Sequence, residues 1–159
     1  MARYLYGETN PVSAPIATAN SVSIGDIVGY DTTTNYVIKA SEHTWDTNIA
    51  TTQTAFALTF LGTSGQKKLA TEARVFGNST DNIVRIDCSG VFEFDASSAT
   101  YEFGDFVGPA KDSGNNMLDG TVAKVSGVAL AIGRVIENTG ASATKVKIQL
   151  LSTLNAVSK

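Results

Sequence analysis

The chain contains one histidine, one cysteine and one tryptophan, so any chemistry must be assembled from few parts. His43 lies in Ser41-Glu42-His43-Thr44-Trp45-Asp46. A serine hydrolase needs a nucleophile on a sharp turn beside its base, and no Gly-x-Ser-x-Gly phrase is present. His43 next to Trp45 could form a sugar-stacking or metal-touching loop. The plainer reading is an exposed loop whose tryptophan packs on the fold or at an interface. A single cysteine, Cys88, permits neither an intrachain disulfide nor a thiolate cage. Cys88 shares one face of its stretch with Val84 and Ile86, which makes it a small buried residue and not a reactive thiol.

The segment 111–120 is rich in oxygen ligands, but its only carboxylates are Asp112 and Asp119. A calcium loop needs carboxylates at alternating positions and a bidentate acid near its end, so Asx-rich turns explain this segment better. Glu93, Asp95, Glu102 and Asp105 offer carboxylates in pairs. Acid–base work requires one of a pair to be desolvated, and Glu93 and Asp95 point out from one strand, toward solvent or an interface rim. No glycine-rich loop opens a helix to hold phosphate. The expectation is therefore no catalytic residue, no cofactor and no metal, and a protein that is not an enzyme.

The elements around these residues are strands. Lys145-Val146-Lys147-Ile148-Gln149-Leu150 alternates with period two, as does Val91-Phe92-Glu93-Phe94-Asp95, with Ser89-Gly90 as a bend or a bulge before it. Residues 36–38, 55–61 and 82–88 read as further strands. Residues 128–136 read as a buried strand with a kink or bulge at Gly133, and 118–125 as a turn followed by a strand. Residues 66–76 fit a short helix or an irregular strand and loop. One phrase occurs twice: Ile24-Gly25-Asp26-Ile27-Val28-Gly29 and Phe103-Gly104-Asp105-Phe106-Val107-Gly108, offset by 103 − 24 = 79 residues. Such repetition marks one supersecondary unit used twice. Gly25 and Gly104 supply tight turns, and Asp26 and Asp105 can accept from nearby backbone N–H groups. Pro109 closes the second phrase and reads as the cap of an edge strand.

The expected class is all-β: a small β-barrel or sandwich built from two related Gly-Asp halves, about 21–98 and 99–154, with a tail at 155–159. Residues 1–20 hold Pro11 and Pro15, two of three prolines, and read as an extended N-terminal arm outside the core. Tyr4, Leu5 and Tyr6 need a surface to cover them, with a neighbouring subunit preferred over the chain's own barrel.

Of 159 residues, 43% are hydrophobic and only 17% charged, and the formal net charge is −3. Nothing attracts a phosphate backbone, which disfavours nucleic acid. No stretch is long and apolar enough for a bilayer, and no export signal is read at the N-terminus. A surface of Ser, Thr, Asn and Gly in place of charge is cheap to desolvate and suits packing against neighbours.

The two Gly-Asp phrases, the strand Ser89-Gly90-Val91-Phe92-Glu93-Phe94 and the closing strand 144–151 resemble the capsid cement, or head decoration, proteins of tailed bacteriophages. The resemblance covers most of 21–151; residues 1–20 and 66–78 match less well. It implies a homotrimeric, non-enzymatic structural protein on the outer capsid surface of the virion, stabilising the shell where capsomers of the major capsid protein meet. On that reading Tyr4, Leu5, Tyr6, Pro11, Pro15 and Trp45 would contact capsid or subunit, while Gly25, Asp26, Gly104 and Asp105 hold structural turns. The alternative is a head-fibre or receptor- and glycan-binding surface domain using Trp45.

Overall fold

The computed structural model describes residues 1–73 and 82–155. Among the described residues there are eleven strands and a single α-helix: β1 (Arg3–Tyr6), β2 (Val12–Ile16), β3 (Ile27–Tyr30), β4 (Val37–Lys39), α1 (Ile49–Ala57), β5 (Phe60–Ser64), β6 (Asn82–Asp87), β7 (Val91–Ala99), β8 (Phe106–Lys111), β9 (Met117–Val125), β10 (Gly133–Val135) and β11 (Ala143–Leu150). The class is all-β, as the alternating stretches imply.

Strands β2-β4-β3-β5-β6 close into a barrel. The second sheet runs β7-β11-β10-β8-β9, and β9 returns to pair parallel with β7 through Asp95↔Thr121 and Ala96↔Val122. This ring repeats the first. In each, one parallel contact (β2 with β4, β7 with β9) closes an otherwise antiparallel circuit. The repeat offset holds beyond the Gly-Asp phrase: β2 and β7 start 91 − 12 = 79 residues apart, and β3 and β8 start 106 − 27 = 79 apart. The unit thus begins one strand before the phrase. The division between halves falls at Ser89-Gly90 and not at 98/99, because β7 is a stave of the second barrel.

The two Gly-Asp turns match in detail. Gly25 and Gly104 have φ of +87° and +92°, a region open to glycine. Asp26 N–H donates to Ser23 O at 3.1 Å and Asp105 N–H to Glu102 O at 3.0 Å. Asp26 Oδ2 accepts from Ser23 N–H at 2.7 Å, and Asp105 Oδ2 from Glu102 N–H at 2.8 Å. Each turn is anchored to the fourth strand of its barrel in chain order, β5 or β10: Gly25 N–H donates to Ser64 O and Gly104 N–H to Val135 O, both at 2.8 Å.

Alternation along β3 fixes how the barrels join. Val28 points into the first barrel with Ile16, Val37, Val84, Ile86 and Cys88. Ile27 faces the other way, into a larger cluster with Phe56, Phe60, Phe94, Val107, Ile132 and Ile148. The second core therefore continues across the seam onto residues of the first half, while the first barrel keeps a smaller core of its own.

Several expectations are corrected. Residues 1–20 are not a separate arm. Strand β1 lies antiparallel on β7 with Tyr4 opposite Phe92, and β2 is a stave of the first barrel, with Ile16 fully buried. Pro15 sits inside β2 opposite Ile83; proline there forfeits one ladder donor without breaking the strand. Residues 55–61 are mostly not strand. Asn48 caps α1, its Oδ1 accepting from Thr51 N–H at 3.1 Å while Thr51 Oγ1 accepts from Asn48 N–H at 3.2 Å. The Thr- and Ala-rich helix buries Thr52, Gln53, Phe56 and Ala57, a face too polar to be seen as a helical stripe. Residues 66–73 form no helix; Lys68 bridges Val22 instead, and 74–76 lie outside the described residues. Val128–Leu130 is a 3-10 turn with Val128 exposed, so the buried strand at 128–136 shrinks to β10. Residues 118–125 lie wholly within β9. Pro109 is buried within β8, opposite Val122, and its carbonyl accepts from Gln53 Nε2 at 2.8 Å. The short β10 ends before reaching it, and α1 takes the freed position. Of the 155–159 tail, only Asn155 is described; its amide donates to Cys88 O at 2.9 Å.

Candidate docking surfaces

Among the described residues, no group of three His, Cys, Asp or Glu side chains could hold a metal ion. No helix among the described residues is long and apolar enough to cross a membrane. The outward carboxylates are mostly engaged. The N-terminal ammonium meets Asp95 at 2.6 Å and Lys145 meets it at 3.3 Å. Both hold the Asp95 carboxyl below its ordinary range, the ammonium first. Arg3 and Lys145 stand 3.5 and 3.9 Å from Glu93. Across β1, β7 and β11 these groups form a ladder of mutually neutralised charge.

Beside that ladder lies an apolar depression of about 540 Å³ lined by Met1, Ala2, Arg3, Tyr4, Ile24, Glu93 and Lys145. Met1, Tyr4, Tyr6 and Ile24 expose 68, 46, 55 and 54% of their surface. The Tyr4 ring stands edge-on to Phe92, centroids 5.5 Å apart, and its hydroxyl donates to Gly7 O at 2.5 Å, so its exposed face is held in place. Leu5 is half-buried at the irregularity of the β1–β7 register, and Pro11 is exposed just before β2. Tyr4 and Ile24 thus share a surface with the N-terminus, and Tyr6 is exposed further along β1. Pro15, half-buried, belongs to the barrel wall.

A second surface lies beyond the opposite end of β3. No charged residue occurs from Thr47 to Gln66 or from Val125 to Gly133, and these two segments pack together as α1 against Val128–Leu130. They occupy equivalent places in the two barrels, since 128 − 49 = 79. Leu58 and Val128 are exposed there, as are Ala50, Ala55 and Ala129. Sequence reasoning missed this face; the charge-free run 47–66 was the available signal.

Trp45 stands apart from both surfaces. It is half-buried, with Lys111 Nζ 5.2 Å from its ring centroid. The His43 ring packs edge-on to Phe56 at 5.4 Å, and burial pushes its pKa down. Gly25, Asp26, Gly104 and Asp105 lie at the two turn tips, which project Ile24 and Phe103, the latter 75% exposed. Their environments differ: burial raises the Asp26 carboxyl, whereas Lys124 at 2.6 Å holds Asp105 down. No protein-family model and no curated protein matches the chain.

Proposed function

We propose that this protein is a structural virion component that docks on the outer face of a phage capsid at capsomer junctions and stabilises the shell. The observation that carries the reading is the presence of two uncovered apolar surfaces at opposite ends of β3. A cement must grip at least two neighbours, and these surfaces supply two separate contacts. A stable contact buries about 800 Å² per partner, and two such patches fit on a chain with 7854 Å² of accessible surface. The charge ladder beside the N-terminal depression is already neutralised, so docking there strips water from few unpaired charges. The duplicated barrel, whose second core reaches across the seam to Ile27, Phe56 and Phe60, gives a rigid body to span a junction. The chain itself, self-associated as a homotrimer through the α1 face, would leave the N-terminal face for the major capsid protein.

The test is to add the purified chain to undecorated shells and follow shell disruption on heating. Decorated shells should break at a higher temperature. Tyr4→Ser with Tyr6→Ser should weaken that binding while leaving the variant's own melting within a few degrees. Leu58→Asp should instead lower the oligomer mass in light scattering. Shells that neither bind the chain nor gain thermal resistance would overturn the proposal.

A further inference from the structure

A cavity of about 420 Å³ opens on the first barrel between the β3–β4 hairpin and the segment leaving β4. Its volume falls within the usual range for small-molecule sites. Tyr30, Thr32, Thr33, Ile38, His43 and Thr44 line it together with the carboxylates of Asp31 and Glu42.

The chemistry of the lining is selective. The carboxylates are occupied: Asp31 accepts from Thr33 N–H, Thr34 N–H and Thr34 Oγ1 at 3.3, 3.1 and 2.6 Å. Glu42 accepts from Lys39 N–H at 3.0 Å. They shape the hairpin and are poorly placed to hold a cation. No lysine or arginine lines the cavity, so nothing rewards a phosphate or carboxylate ligand. The groups left to a guest are the hydroxyls of Tyr30, Thr32, Thr33 and Thr44 and the His43 imidazole. None of these has a side-chain hydrogen-bond partner among the described residues. His43 is fixed by its edge contact with Phe56 and kept neutral by burial, so it can donate at one nitrogen and accept at the other. Tyr30 and Ile38 add apolar surface. Neutral donors and acceptors that can each serve either role, set beside an aromatic ring, match a polyhydroxylated neutral ring.

We propose that this cavity binds a neutral saccharide through Tyr30, His43 and the threonine hydroxyls of the β3–β4 hairpin. Trp45 takes no part, being outside the cavity and covered by Lys111. The site is independent of shell docking, since it shares no residue with either apolar surface.

The experiment is titration of the full chain with a panel of neutral mono- to tetrasaccharides, read by isothermal calorimetry and by amide shifts in two-dimensional NMR. At least one neutral sugar should bind saturably and move the signals of Thr32, Thr33 and His43. Tyr30→Phe, which removes only a hydroxyl, should weaken binding about fivefold, the equivalent of one neutral hydrogen bond. His43→Ala should weaken it more than about tenfold. Should His43→Ala disturb Phe56 and melt early, Tyr30→Phe alone decides. Trp45→Ala should leave the affinity unchanged. Absence of shifts at millimolar sugar, an affinity unchanged by Tyr30→Phe, or selection of sialylated or sulfated sugars over neutral ones would each overturn the assignment.

Discussion

Gly25 and Gly104 occupy equivalent turns with nearly equal φ, but their neighbours differ, which makes Gly25→Ala and Gly104→Ala a controlled comparison. A Cβ at Gly104 meets nothing within 4 Å. Its whole cost is the left-handed backbone, about 1–2 kcal/mol. At Gly25 the same cost applies, and the new Cβ also falls inside contact distance of the Ala2 carbonyl oxygen, with Ala2 N at 3.0 Å. Backbone cannot swing aside as a flexible side chain does. Ala2 is 5% exposed, and β1 starts at the next residue, so relief must lift β1 from β7. Overpacking of this kind adds about 1–3 kcal/mol. Gly25→Ala should therefore cost about 2–5 kcal/mol in urea unfolding, and Gly104→Ala about 1–2. At about 2–4 °C per kcal/mol for a chain this size, the two melting points should differ by several degrees. Equal losses in the two variants, or wild-type melting of Gly25→Ala, would refute the contact between turn and N-terminus.

The aspartates of the same turns should respond oppositely to charge removal. Burial raises the Asp26 carboxyl above its ordinary 3.8, so its ionised form costs stability at neutral pH, a cost that fades as pH falls through the raised value. Asp26→Asn keeps an acceptor for Ser23 N–H and should gain about 0.5 kcal/mol at pH 7, with the gain vanishing in acid. Lys124 lowers Asp105, so its contribution is present above 3.8 and lost as pH falls through the lowered value. Asp105→Asn should lose up to about 1 kcal/mol at pH 7, a loss that shrinks as pH falls below 3.8; matching pH–stability curves for the two variants would contradict this. Lys68 is fully buried, and its Nζ donates to the carbonyls of Thr18, Asn20 and Leu69 at 2.9, 2.8 and 3.1 Å. Lys68→Met should cost about 3 kcal/mol in chemical denaturation by stranding those oxygens; a loss below about 1 would show that the oxygens are otherwise served. Burial pushes the Cys88 thiol up, so a thiol reagent should label it only in denaturant, and rapid labelling of the native chain would place it outside the first core.

The strands with one wet face were legible in the chain itself. Residues 145–150 and 91–95 alternate because one side meets the core and the other carries Lys, Glu and Gln, and that period survives any detail of packing. The Gly-Asp turns were legible too, because a left-handed backbone and an i−3 acceptor demand those residue types whatever surrounds them. The remainder was set by distant partners. Val12–Ile16 reads as a proline-bearing arm and becomes a stave only because β6 and β4 flank it. Ile49–Ala57 lacks an apolar stripe, since its buried face is completed by a glutamine bonded to Pro109 and a phenylalanine filling the seam. In the sequence Tyr4 reads as part of an extended arm and His43 as part of an exposed loop. Only the assembled barrels put one on an open apolar surface and the other inside a polar cavity. Local periodicity and turn chemistry depend on neighbours along the backbone; strand closure, the seam between barrels and the two surfaces depend on contacts between residues tens of positions apart, which no short stretch of sequence encodes.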